Sequence, residues 1–234
     1  MRLDKFLTET KTASRKEASS LARQGKITVN GCVVKDASRH IIPETDSVCV
    51  SDRPVIYKKH EYIMLNKPEG YVSATDDRNM PTVLELLPEK IRTGLFPCGR
   101  LDRYTVGMMI LTDDGDLAHR LLSPKRHAEK EYLFKCERPL SDSDIIKLES
   151  GVYIEGGYLT KPCKVRKQSE QSAVITLTEG KYHQIKQMLG GVGNRVSYLE
   201  RISFAGIPLD PALSRGEWRY LTDDEIDILK KAGS

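Results

Sequence analysis

A lone acid, Asp102, stands in the run Gly99-Arg100-Leu101-Asp102-Arg103-Tyr104-Thr105-Val106-Gly107, which leads into Met108-Met109-Ile110-Leu111 and then Thr112-Asp113-Asp114-Gly115. The four apolar residues read as a strand, and Asp114-Gly115 reads as the turn that closes it. The acid therefore sits between an arginine and a Thr-x-Gly turn, just ahead of an apolar strand that fixes its position. Arg100 lies two residues before it, so on an extended backbone both side chains leave the same face. Whatever this chain folds into, it has to place a cation-flanked carboxylate at the entrance of a strand.

At 234 residues there is room for one large domain or for two. Hydrophobic residues are 39% and charged residues 30%, the balance of a globular protein and not of a disordered one. No apolar run approaches the ~18 residues that a membrane helix needs. The first seven residues lack the apolar stretch of a secretory signal. A cytoplasmic location without a membrane partner is the expectation. The five cysteines, Cys32, Cys49, Cys98, Cys136 and Cys163, are widely spaced, with no Cys-x-x-Cys. They suggest neither a zinc site nor a disulfide framework and are expected as small apolar residues in a reducing compartment.

Charge is unevenly placed. Residues 1–58 hold 11 Lys and Arg against 7 Asp and Glu, whereas residues 59–234 hold 26 of each. The excess fits a polyanion-docking arm on a neutral body, or ordinary surface variation. Within this segment Ser14-Arg15-Lys16-Glu17 forms a capping box, and Ala18, Leu21 and Ala22 recur at helical spacing. Gly25 closes the helix. Asn30-Gly31 between Ile27-Thr28-Val29 and Cys32-Val33-Val34 predicts a type I′ hairpin. A further strand is predicted over 47–50. This order of helix, helix, hairpin and strand, with Arg2-Leu3-Asp4-Lys5-Phe6-Leu7 and Gly25-Lys26-Ile27-Thr28-Val29-Asn30-Gly31, resembles an S4 (αL-type) RNA-binding domain. The resemblance implies phosphate contacts from Arg2, Lys5, Arg15, Lys16, Arg23, Lys26 and Lys35, about half of which are expected to touch RNA.

Residues 51–60 are polar, contain a proline and show no period, and are expected to be a linker. The domains are placed at 1–58 and 59–234. Beyond the linker, strands are predicted at 62–65, 108–111, 130–136, 173–177 and 195–202. Helices are predicted at 82–87, 116–122, 142–149, 183–189 and 223–231. Strands and helices mixed without βαβ alternation predict an α+β fold with an antiparallel or mixed sheet.

Four stretches of the second domain, in order, resemble the pseudouridine synthases of the RsuA/RluA type. They are Lys67-Pro68-x-Gly70-Tyr71, the Asp102 run, Lys130-Glu131-Tyr132, and Glu179-Gly180-Lys181-Tyr182-His183-Gln184-Ile185-Lys186-Gln187-Met188. The resemblance spans essentially the whole chain and implies a central antiparallel or mixed sheet flanked by helices. It implies that Asp102 is the catalytic carboxylate, that Tyr132 stacks on the target base and that Lys186 pairs with Asp102. Ile185 would pack beside the base, Arg100 would enter the RNA as the target nucleotide leaves the stack, and Thr105, His183 and Gln184 would complete the substrate site. The Lys67 turn is expected to be structural, and Thr105 and Gly107 to shape the loop. Lys186 stands where Arg is common in the family, and a lysine is a point charge without bidentate geometry. Tyr104, Val106 and Met108-Met109 also depart from the family pattern.

The reaction so implied breaks the C1′–N1 bond of a uridine, turns the uracil and joins C1′ to C5. It requires no cofactor and no metal. The carboxylate acts as nucleophile or assists proton removal from the sugar; the sequence leaves both routes open. Ser73-Ala74-Thr75-Asp76-Asp77, Leu159-Thr160-Lys161-Pro162 and Ser123-Pro124-x-x-His127-x-Glu129-Lys130 are most similar to the branch acting on small-subunit (16S) rRNA at the uridine-516 type of site. A 23S rRNA target is the runner-up. A monomer is expected. Two alternatives are a non-catalytic RNA-binding or ribosome-assembly protein, against which Asp102, Tyr132 and Lys186 stand together, and a metal-dependent hydrolase acting on RNA.

Overall fold

A computed structural model describes residues 1–57, 59–123 and 128–234, and the chain divides into units Met1–Lys59 and His60–Ser234. The first unit opens with helices α1 (Leu3–Glu9) and α2 (Arg15–Arg23). The capping box of α2 is complete: the Glu17 amide donates to Ser14 Oγ at 3.3 Å, and the Ser14 amide to Glu17 Oε2 at 2.8 Å. Gly25, at φ +70°, takes the left-handed turn that ends this helix. Strands β1 (Ile27–Val29), β2 (Cys32–Val33), β3 (Val48–Val50) and β4 (Arg53–Val55) form an antiparallel sheet in the order β2-β1-β3-β4. Asn30 and Gly31 both have positive φ, as a type I′ turn demands. Leu3, Phe6, Leu7, Ala18, Ala22, Ile27 and Val48 belong to one buried cluster that serves this unit.

The expected linker over 51–60 is corrected in part, because residues 53–55 are β4. Ser51 and Asp52 both adopt positive φ and turn the chain back onto β3. Pro54 is tolerated because β4 is an edge strand, where a missing N–H costs no ladder bond.

The second unit contains β5 (Tyr62–Lys67), α3 (Glu89–Arg92), β6 (Phe96–Pro97), β7 (Val106–Thr112), α4 (Gly115–Leu122) and β8 (Lys130–Cys136). It continues with α5 (Asp142–Ser150), β9 (Tyr153–Ile154), β10 (Tyr158–Leu159), β11 (Lys164–Ser169) and β12 (Ser172–Leu177). It ends with α6 (Gln184–Gly191), β13 (Val196–Phe204), β14 (Ile207–Pro208), β15 (Trp218–Tyr220) and α7 (Asp223–Ala232). The central sheet runs β11-β12-β8-β13-β7-β5-β15, with β14 on β13 and β6 on β7. Its pairings are antiparallel except β13 with β7, so the sheet is mixed. The predicted helix over 82–87 is a 3-10 turn, Val83–Leu86.

Every residue of β5 and β7 is buried, because the sheet is covered on both faces. Ile63, Leu65, Met109 and Leu111 enter the cluster that also holds Ile185, Met188 and Leu189 of α6. Tyr62, Met64, Met108 and Ile110 enter the opposite cluster with Leu117 and Leu121 of α4 and Leu229 of α7. The parallel contact sets Gly107 against Arg201. Gly107 has φ +98°, and a Cβ there would lie 2.3 Å from the Arg201 carbonyl oxygen. Only glycine lets the two backbones approach so closely, which is a more specific duty than shaping a loop.

Candidate active site

Asp102 lies in the loop 99–105 that enters β7, not on a strand. The same-face expectation for Arg100 and Asp102 therefore lapses. The loop is held instead by hydrogen bonds from three directions. Ser73 Oγ donates to the Leu101 carbonyl at 2.8 Å and accepts from the Leu101 amide at 2.9 Å. The Gly70 amide donates to the Arg103 carbonyl at 2.9 Å, and the Thr105 amide to the Asp102 carbonyl at 3.0 Å. Lys67, at the end of β5, is fully buried, and its Nζ donates to the carbonyls of Pro68, Asp102, Arg103 and Thr105 at 2.9–3.2 Å. Burial pulls the Lys67 pKa down to about 8, and the nearby Asp102 charge opposes that pull.

The partner of this loop is the start of α6. Glu179 organises the approach: its carboxylate accepts from Tyr158 Oη at 2.8 Å, the Lys161 amide at 3.0 Å and Gln184 Nε2 at 2.6 Å. Gln184 Oε1 in turn accepts from the Lys181 amide at 2.9 Å. His183 then takes a left-handed conformation, φ 48° and ψ 31°, as the N-cap of α6. Its ring stacks on Tyr182, with centroids 3.8 Å apart.

This turn brings two basic side chains to the acid. Lys186 Nζ donates to Asp102 Oδ2 at 2.6 Å, and His183 Nε2 lies 3.5 Å from Asp102 Oδ1. Both come from the N-terminal turn of the helix, the positive end of its dipole. The three side chains are 26–36% exposed, open enough for a substrate to reach.

Asp102, Lys186, Tyr132, Arg100, Thr105, His183, Gln184 and Ile185 all line one cavity of about 790 Å³. The eight candidate catalytic and substrate residues are thus gathered in one place, within the size range of small-ligand sites. Tyr132 is on β8, opposite Ile175 of β12 and Arg201 of β13, and is nearly buried. Ile185 is buried in the core behind the cavity, and Arg100 is exposed at it. Gln184 is buried, and its amide is already engaged at both ends, so its main work here is to shape the turn.

The seven basic candidates of the first unit are all exposed. Arg2 pairs with Asp4 at 2.7 Å and Lys5 with Glu9 at 3.6 Å. Among the described residues no ion pair engages Arg15, Lys16, Arg23, Lys26 or Lys35. Residues 124–127 of the basic loop after α4 lie outside the described residues.

Sequence reasoning missed the parts played by Lys67, Glu179 and Arg201. Arg201 is 1% exposed and borders the cavity. Its signal was a charged residue spaced by two from Leu199 in a predicted strand, hence on the inward face. Among the described residues no group of three His, Cys, Asp or Glu side chains comes together to hold a metal ion. None of the described helices is long and apolar enough to cross a membrane.

Comparison with known proteins gives concordant likenesses. A family model described as RNA pseudouridylate synthase matches residues 61–190, and an S4 domain model matches residues 1–45. The RNA pseudouridine synthase YtzG of Bacillus subtilis is 48% identical over 236 residues, 99% of each chain. The ribosomal small subunit pseudouridine synthase A of Escherichia coli is 41% identical over 228 residues, 97% of this chain and 98% of that one. A pseudouridylate synthase crystal structure superposes with a TM-score of 0.70 at 36% identity, covering 98% of this chain and 99% of that one.

Proposed function

The chain belongs to the RNA pseudouridine synthases and carries an S4 domain, and from that premise we propose that it isomerises a uridine of 16S rRNA, of the uridine-516 type, with Asp102 as the catalytic carboxylate. The observation that carries the site assignment is the 2.6 Å contact between Lys186 Nζ and Asp102 Oδ2 in a cavity that Tyr132 also lines.

In this reading the target nucleotide leaves its stack and its base enters the cavity, with the Tyr132 ring against it. Asp102 reaches the sugar. It adds to C1′ as the C1′–N1 bond breaks, or it assists removal of the C2′ proton; either route ends with C1′ joined to C5. Lys186 orients the carboxylate, and Arg100 fills the space that the base leaves. Unstacking costs a few kcal/mol, and an inserted guanidinium offsets part of it. The proposed setting is the cytoplasm, with the protein acting as a monomer and without a cofactor.

The small-subunit target is favoured by the likeness to the ribosomal small subunit pseudouridine synthase A of Escherichia coli, which this chain matches over almost its full length. Mapping pseudouridines in rRNA from cells with and without the gene tests it. Loss of one 16S pseudouridine is the expected result. Loss of a 23S pseudouridine would move the target to the other subunit, and no loss in any RNA would remove the enzyme reading.

The first unit is proposed as the docking arm, with Arg15, Lys16, Arg23, Lys26 and Lys35 on phosphates. Each phosphate contact contributes roughly 0.7–0.9 to the slope of log affinity against log salt. Neutralising all five is expected to weaken rRNA binding and flatten that slope by about 3.5–4.5. An unchanged slope across a salt titration would remove the docking role.

A further inference from the structure

We propose that Arg201 is a further catalytic residue, whose guanidinium holds the negative charge of the uracil set free when the C1′–N1 bond breaks. The proposal rests on the reading of Asp102 given above.

Arg201 is among the largest fully buried side chains. Its Nε donates to the Met108 carbonyl at 2.6 Å, and its guanidinium carbon lies 5.1 Å from the Phe204 ring centroid. Its Nη2 is buried without a hydrogen-bond partner, and among the described residues no carboxylate pairs with it. Arginine stays charged at any pH a protein survives. Burying an uncompensated guanidinium is costly, and such groups persist where something outside the resting protein completes them.

The location says what completes it. Among the described residues only two buried side-chain polar atoms lack a partner, Arg201 Nη2 and Thr105 Oγ1. Both residues line the cavity of Asp102. Arg201 stands directly opposite Tyr132 on the neighbouring strand, beside the proposed base position. Lys130 borders the same cavity, and burial, with Arg201 nearby, pulls its pKa down to about 8. The negative charge of Asp102 is already matched by Lys186 at 2.6 Å. Arg201 is therefore left without an anion of its own at the cavity.

The reaction supplies it. When C1′–N1 breaks, the electron pair leaves with N1, and the charge spreads over N1, O2 and O4 of the base. C1′ passes to an Asp102 oxygen, or the C2′ proton is lost and later returned. The base then turns, C5 bonds to C1′, and the proton from C5 ends on N1, so nothing is consumed overall. Arg201 Nη2–H donates to a uracil carbonyl oxygen, and Thr105 Oγ1 offers a second contact. An attraction to charge survives the turning of the base, which a single directional hydrogen bond does not. Because bound uridine is neutral, the interaction grows only as the bond breaks, and its effect falls on kcat.

The test compares Arg201→Gln, which keeps an amide donor near Met108 but drops the charge, with Arg201→Lys, which keeps the charge. Arg201→Gln is expected to lower kcat by about 10²–10³-fold. KM for RNA should stay within about threefold of the parent, and Arg201→Lys should recover at least about tenfold of the loss. A residue that merely braces β13 against β7 is indifferent to charge, so equal kcat in the Gln and Lys variants overturns the proposal. Parental kcat in Arg201→Gln also overturns it, and leaves the Asp102 reading untouched. Absence of pseudouridine formation by the unaltered protein overturns both. Should neither variant fold, the unaltered protein decides. 5-Nitrouracil, an anion at neutral pH, is expected to inhibit at least about tenfold more strongly than neutral uracil, and equal or weaker inhibition overturns the proposal.

Discussion

Asp102→Asn is expected to abolish pseudouridine formation, lowering kcat by at least about 10⁴-fold, with RNA affinity within about threefold of the parent. Asparagine matches aspartate in shape, and its carbonyl oxygen still accepts from Lys186 Nζ, which stands at 2.6 Å from Asp102 Oδ2. What disappears is the negative oxygen that either route at the sugar needs. The fold is spared because the pair is a quarter to a third exposed, so that its loss costs about 1 kcal/mol or less. The phosphate contacts lie on other residues, and an unneutralised Lys186 adds attraction for RNA rather than removing it. Single-turnover conversion of an rRNA fragment, run beside filter binding of the same fragment, separates the two effects. A variant that binds and converts at the parental rate would remove Asp102 from the chemistry. A variant that neither binds nor converts would place it in RNA recognition instead.

The parts of this molecule that the sequence discloses are those whose cause is local. Ser14 and Glu17 cap a helix through atoms three residues apart, and Asn30-Gly31 turns a hairpin through its own φ angles. The four apolar residues after Gly107 are buried wherever the strand goes. Strands β9, β10 and β14, at two residues each, are too short to show a period. β11 exposes five of its six residues at the sheet edge, so it carries no alternation either. β4 is hidden by its proline, because an edge position removes the objection to proline only after the sheet order is known.

The site divides in the same way. Asp102 and Lys186 are 84 residues apart, and nothing in either segment alone brings them to 2.6 Å. Their pairing was readable only because the order of motifs resembles a family. Gln184 was readable as a site residue by position, yet its amide is spent on Glu179 and on the Lys181 backbone. For Arg201 the sequence offers only its spacing from Leu199, which gives a face of the strand; full burial follows from β7 and β8 lying on either side of β13.

Lys67→Met is the second substitution with a large expected effect, and it acts through the loop. Methionine keeps the apolar stem but removes the ammonium that four backbone carbonyls share, those of Pro68, Asp102, Arg103 and Thr105. Lys67 is fully buried, so water cannot take over. A buried acceptor left without a donor costs about 1–3 kcal/mol. Against this, the desolvation cost that lowers the Lys67 pKa to about 8 is recovered. The carbonyls of Asp102 and Arg103 keep amide donors from Thr105 and Gly70, so only those of Pro68 and Thr105 are left without one, and the net loss is expected at about 1–3 kcal/mol against the 5–15 kcal/mol by which proteins are usually stable. Urea unfolding of the second unit should register it directly. Activity should fall further than stability explains, because three of the four freed carbonyls lie in the segment that carries Asp102. A displacement of about 1 Å at a reacting group costs about 10²-fold, so kcat should drop by that order well below the melting temperature. Parental unfolding midpoint and parental kcat in Lys67→Met would show that the hydrogen bonds from Ser73, Gly70 and Thr105 hold the loop unaided. A lower midpoint with parental kcat would show that the ammonium stabilises the fold without placing the carboxylate.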